Sequence, residues 1–213
     1  MRRLQEEIAQ LFVKEKIVKI SIDPPFVGKS GIKSPIYCYT GILISRFSVR
    51  KKIVEGFLKI IQENNLQFDV IAAVATGGVT WGAILAERLE KPFCYIRQKP
   101  KGYGGKKQIE GNITKRSKVL VVEDLLSTAG SAVRATEAIR QEYKVNVVGI
   151  ITIFTYDFSI TKNNLRKAKV KWWALTNLLA LIREMDLSKQ EKRVILDYAD
   201  SPKKWWNRNF CIK

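Results

Sequence analysis

Val119-Leu120-Val121-Val122-Glu123-Asp124-Leu125-Leu126-Ser127-Thr128-Ala129-Gly130-Ser131 is the stretch on which the reading of this 213-residue chain turns. Four apolar residues in a row, Val119 to Val122, predict a strand buried on both faces. That strand delivers two adjacent carboxylates to its C-terminal end, and a run of small hydroxyl residues then opens a helix predicted over Ala132 to Glu142. Backbone N–H groups from Ser127 to Ser131, with the helix dipole behind them, can cradle a phosphate. The hydroxyls of Ser127, Thr128 and Ser131 add donors, and the carboxylates beside them can hold the hydroxyls of a sugar. Acid pairs that cap helices and hydroxyl-rich turns are each common; it is their order that is specific. A nucleotide-binding loop ending in Gly-Lys-Ser/Thr and a GxGxxG fingerprint are both missing from this run.

Working outward, strand and helix patterns alternate: strand Val70 to Ala75, helix Val79 to Leu89, strand Phe93 to Arg97, a glycine-rich loop, the strand above, its helix, and a strand from Val145 to Phe154. Uniformly apolar strands joined through helices predict a doubly wound α/β fold with a parallel sheet covered on both faces. Ligands of such sheets bind beyond the carboxyl ends of the strands. Upstream, Leu4, Ile8, Leu11 and Phe12 predict an opening helix, Pro24-Pro25 breaks the chain, and Phe26 to Tyr39 predicts a short antiparallel hairpin or hood. Ser48 is the expected cap of a helix carrying Ile53, Phe57, Ile60 and Ile61, which Asn64-Asn65 ends. Downstream, Trp172-Trp173, Leu178 to Ile182 and Trp205-Trp206 are expected to dock a C-terminal segment on the sheet. The expected organisation is thus a helix and hood over 1–45, a core over 46–157 and a packed C-terminal segment over 158–213.

Composition narrows the chemistry. Hydrophobic residues at 46% and charged residues at 27% are those of an ordinary globular protein. The first sixteen residues carry charges throughout and do not read as a secretory signal, which makes the cytoplasm the expected location. The uncharged run from Val70 to Ala86 is broken by Thr76-Gly77-Gly78 and reads as strand, turn and helix start rather than a membrane span. Cys38, Cys94 and Cys211 are odd in number and widely spaced, so they read as reduced thiols. With no histidine in the chain, proton transfer and charge stabilisation fall to Lys, Arg, Asp, Glu or Tyr. The net charge of +18 could attract a polyanion, but it is spread along a chain rich in Lys, Ile and Asn without a block of like charge, and nucleic acid is not the expected partner.

The thirteen residues resemble the motif by which type I phosphoribosyltransferases bind 5-phosphoribosyl-1-pyrophosphate (PRPP). Phe26 to Cys38, Val74 to Gly78, Tyr95 to Gly104 and Gln108 to Gly111 are similar, in order and spacing, to segments of the orotate phosphoribosyltransferases. The resemblance covers roughly residues 5 to 155. It implies transfer of the phosphoribosyl group of PRPP to orotate, Mg²⁺ held mainly by PRPP with no protein residue ligating it directly, and a homodimer in which the loop after Arg97 closes over the partner's site. It also implies site residues. Glu123, Asp124, Leu125, Leu126, Ser127, Thr128, Ala129, Gly130 and Ser131 would bind PRPP together with Thr76, Gly77, Arg97, Lys101 and Tyr103. Lys29 and Ser127 would bind orotate, and Lys101 and Asp124 would act in catalysis.

The residues read consistently with that. Displacing pyrophosphate at the anomeric carbon builds positive charge on the ribose and negative charge on the leaving group, so catalysis should be largely electrostatic. A glycine-rich loop bearing Lys99, Lys101, Lys106 and Lys107 can bring cations to the leaving group and then open. The chain departs from the family in four places. Tyr103 stands where histidine is usual, Trp81 where many members carry Lys or His, Tyr39-Thr40-Gly41 where an aspartate-containing stretch is common, and Ala129 where glycine is frequent. A phosphoribosyltransferase for another base, and a PRPP-sensing RNA-binding regulator on the same fold, are the competing readings.

Overall fold

The computed structural model describes residues 2–27, 33–100 and 108–210. Helix α1 (Arg2–Lys14) opens the chain and buries Leu4, Ile8, Ala9 and Phe12 at the expected helical spacing. Two small antiparallel pairs follow: β1 (Val18–Ile20) with β4 (Ile36–Cys38), and β2 (Phe26–Val27) with β3 (Lys33–Ser34). The β2–β3 pair lies within the hairpin expected between Phe26 and Tyr39, whereas β4 pairs back to β1, upstream of it. A 3₁₀ turn (Thr40–Ile44) leads into α2 (Phe47–Glu63). The residue before α2 is Arg46, in extended conformation and without a side-chain cap, so Ser48 sits inside the first turn and does not cap the helix as expected.

The main sheet has six strands in the order β10-β9-β8-β5-β6-β7. They are β5 (Val70–Val74), β6 (Phe93–Ile96), β7 (Ile109–Glu110), β8 (Lys118–Leu126), β9 (Asn146–Thr155) and β10 (Trp172–Asn177). All neighbours are parallel except the edge pair β6 and β7. β8 is longer than the apolar run alone predicts, because its ladder with β9 continues through the acidic pair to Leu126, opposite Thr155.

Alternation along the strands feeds two cores, one on each face of the sheet. Ile71, Leu120 and Val122 join a cluster with α1, α2 and α3 (Gly77–Leu89), whereas Val70, Ala72, Val119 and Val121 join one with α4 (Gly130–Tyr143) and α5 (Ser159–Lys167). Trp172 and Trp173 belong to the sheet itself: they lie in the edge strand β10, and Trp173 donates to Asn64 Oδ1 at 2.8 Å. Beyond it come α6 (Leu178–Glu184), α7 (Lys189–Asp200), whose N-terminus is a Ser188/Glu191 capping box, and α8 (Pro202–Phe210). Stacked and edge-on rings run Phe12, Phe154, Tyr156, Phe158, Tyr198, Trp205 and tie these last helices to α1 and the sheet.

Candidate active site

Strand order sets the position of the site. From β5 the chain crosses through α3 to β6 on one side, and from β8 it crosses through α4 to β9 on the other. The gap between the carboxyl ends of β5 and β8 is therefore the topological switch point, the place where a doubly wound sheet opens a crevice. Two of the sequence-predicted segments flank it. Thr76-Gly77 opens α3 and Ala129-Gly130 opens α4, and neither helix has a side-chain cap at its N-terminus. The first-turn amides of both helices and the positive ends of both dipoles face the same end of the sheet.

The acidic pair is not symmetric. Glu123 is 6% exposed, and burial, reinforced by the neighbouring Asp124 charge and hydrogen bond, pushes its carboxyl well above the usual value near 4.5. Asp124 is partly exposed, and its Oδ2 accepts a 2.5 Å hydrogen bond from the hydroxyl of Thr40. Its carboxyl group lies hard against Gly77: a Cβ there would come within 2.3 Å of it. At Gly78 a Cβ would sit 2.5 Å from the Val122 carbonyl oxygen, so only glycine lets the first turn of α3 come this close to β8. The structure thus brings Thr76, Gly77, Glu123 and Asp124 together across the switch point.

The loop from Ser127 to Ser131 is held from behind by α5. Thr161 donates its hydroxyl to the Ser127 carbonyl, and Asn164 Nδ2 donates to the Thr128 carbonyl at 2.9 Å. In a trans peptide the N–H points opposite to the carbonyl. With both carbonyls drawn toward α5, the amides of Thr128 and Ala129 point away from it. Ala129 takes the left-handed conformation at φ 61°, the backbone reason that glycine suits this position. Leu125 and Leu126 contribute differently. Leu126 is fully buried with its carbonyl receiving Tyr156 N–H, and Leu125 packs on the other core, so contact from these two would run through the backbone.

Arg97 directly follows β6, exposed, with its guanidinium 3.3 Å from Glu110. It shares a small cleft with Ser131 and Arg134, whose guanidinium lies 3.4 Å from the Ser131 hydroxyl. Lys29, Lys101 and Tyr103 lie outside the described residues. Trp81, on α3, is 1% exposed in the core, so its indole serves packing at the position where the family resemblance implies a cation. Cys38 and Cys94 are buried free thiols; burial pushes Cys94 up to about 12 and Cys38 higher still, with the Asp124 charge adding to the latter. Among the described residues no three His, Cys, Asp or Glu side chains converge as a metal cage, and no helix is long and apolar enough to cross a membrane. One partly exposed carboxylate beside the first-turn amides of α3 and α4 does fit an ion such as Mg²⁺ that keeps few protein ligands and takes the rest from substrate oxygens.

Thr40, Thr161, Asn164 and Arg134 escape sequence reasoning. Thr40, Thr161 and Asn164 act on partners distant in sequence, whereas Arg134 meets Ser131 one turn away on α4; only Thr40 leaves a trace, in the divergent Tyr39-Thr40-Gly41 run.

The fold and the crevice define a phosphoribosyltransferase, and the phosphoribosyl transferase domain family matches residues 47–180. An orotate phosphoribosyltransferase of Coxiella burnetii is 38% identical over 203 residues, covering 93% of this chain and 97% of the relative. The chain belongs to the orotate phosphoribosyltransferase family. Among solved structures, the orotate phosphoribosyltransferase of Aeropyrum pernix superposes with a TM-score of 0.72 at 26% identity, covering 83% of this chain and 97% of that one. The UMP synthase of Leishmania donovani shares the fold at TM-score 0.76 and 22% identity; the match covers 92% of this chain and 42% of that longer one.

Proposed function

We propose that this chain transfers the phosphoribosyl group of PRPP to orotate, giving orotidine 5′-monophosphate and pyrophosphate, a step in pyrimidine synthesis. The observation that carries this reading is the pair of uncapped helix N-termini at one switch point with Asp124 between them. The amides of Ser127 to Ser131 at α4 hold the 5′-phosphate, and those at Thr76 and Gly77 receive the pyrophosphate. Asp124, on the strand between, holds the ribose hydroxyls and faces the positive charge that grows at the anomeric carbon. Asp124 is the carboxylate that would face Mg²⁺, an ion held mainly by PRPP that would supply charge neutralisation to the leaving group.

Arg97 supplies a further charge at the leaving group, after exchanging Glu110 for the phosphate oxygens. Lys101 completes that charge and is the candidate proton donor, with Tyr103 as a hydrogen-bond donor beside it. Lys29 neutralises the orotate carboxylate from the hood, and Ser127 lies between base and phosphate. The enzyme works in the cytoplasm as a homodimer, each subunit lending its loop to the other's site. Loss of orotate ultraviolet absorbance on adding PRPP and Mg²⁺ to the purified protein is the direct test. Consumption of adenine or uracil instead of orotate would redirect the assignment to another base.

A further inference from the structure

Thr40 enters the crevice from the hood side of the molecule, outside the parallel sheet. It is the first residue of the 3₁₀ turn, 5% exposed, and its hydroxyl donates to Asp124 Oδ2 at 2.5 Å. Two other groups crowd that carboxyl from the sheet side. Gly77 packs against it without a side chain, and Glu123, its buried neighbour on the same strand, meets it by a side-chain hydrogen bond. The second torsion of an aspartate is broad, so a donor from outside the strand, acting with the Glu123 contact, biases which oxygen faces the cleft. A short hydrogen bond from a buried hydroxyl to a carboxylate is both strong and directional.

We infer that Thr40 is the positioning residue of the site: its hydroxyl holds one oxygen of Asp124 so that the other faces the ribose. The same bond ties the ribose grip to the hood, because Thr40 directly follows β4 and the stacked, exposed rings of Tyr37 and Tyr39. This rests on the reading that Asp124 holds the ribose of PRPP.

The test is calorimetric binding of PRPP with Mg²⁺, together with steady-state kinetics, for Thr40→Val, Thr40→Ser, Asp124→Ala and the Thr40→Val/Asp124→Ala pair. Thr40→Val keeps shape and loses the donor; PRPP affinity is expected to fall about tenfold, the effect of one hydrogen bond to a charged group, with KM for PRPP rising more than kcat falls. Thr40→Ser restores the donor and should recover affinity to within about threefold of the wild type. In the pair, the valine should add nothing to the loss caused by Asp124→Ala. Unchanged binding by Thr40→Val, failure of serine to rescue, or losses that multiply in the pair would each overturn the inference. A lower melting temperature of Thr40→Val with unaltered PRPP affinity would assign the residue a purely structural role and overturn it too. Wild-type protein that binds PRPP but ignores orotate would refute the acceptor alone, and the binding series would still decide on Thr40; absence of PRPP binding would remove both.

Discussion

Single residues carry most of the chemistry here, and their environments differ more than their identities suggest. Asp124 and Glu123 are neighbours, yet one is partly exposed at the crevice and the other is buried, with its carboxyl pushed well above the usual range. Asp124→Asn is expected to slow orotate turnover by at least about 10²-fold while the circular dichroism of the fold is unchanged, because it removes the negative charge proposed to face the ribose cation. Glu123 behaves in the opposite sense. Its carboxyl titrates higher folded than unfolded, so the folded chain binds the extra proton, and stability falls as pH rises from about 4.5 through the folded value. Glu123→Gln should remove that fall, and melting curves between pH 4.5 and 8 should show the variant gaining on the wild type toward the alkaline end. Trp81 belongs to the core, and Trp81→Ala is expected to cost about 3–5 kcal/mol in denaturant unfolding.

At the scale of elements, the crevice depends on how closely a helix start approaches a strand. Gly77→Ala would drive a methyl group into the Asp124 carboxyl, displacing it or the first turn of α3. A displacement of that kind is expected to lower kcat/KM for PRPP on the order of 10²-fold, since reacting groups tolerate little error in position. Ala129 presents the reverse case. Its left-handed backbone strains an alanine, and Ala129→Gly should raise the melting temperature by about 2–4 °C, the shift expected from relief of roughly 1 kcal/mol in a chain of this size. The brace from α5 explains how a loop of small residues keeps one conformation with its amides turned outward.

On the scale of the whole molecule, α1, the sheet, α7 and α8 form a continuous packing system through the aromatic series from Phe12 to Trp205. Tyr198 of α7 also meets Ser34 of the hood by hydrogen bond, so the end of the chain supports the segment that leads to Thr40. The proposed exchange of loops between subunits has its own test. Mixed and reassembled Lys101→Ala and Asp124→Asn proteins, each inactive alone, should recover up to about a quarter of wild-type activity, because half of the dimers are mixed and each of those restores one of its two sites.

Local pattern determined a large part of this protein. The apolar run of β5, the alternation of strands with helices, and the order of acid pair, hydroxyl residues and helix start can be read from the chain because each depends on residues close in sequence. The tertiary structure alone decided that β8 runs on through Glu123 and Asp124, that Trp172-Trp173 form an edge strand, that Arg46 rather than Ser48 precedes α2, and that Thr40, Thr161 and Asn164 hold the site. The physical reason is shared. Burial of one carboxylate beside another, and a hydroxyl 84 positions away that orients it, are properties of packed neighbours, which a sequence places together only by folding.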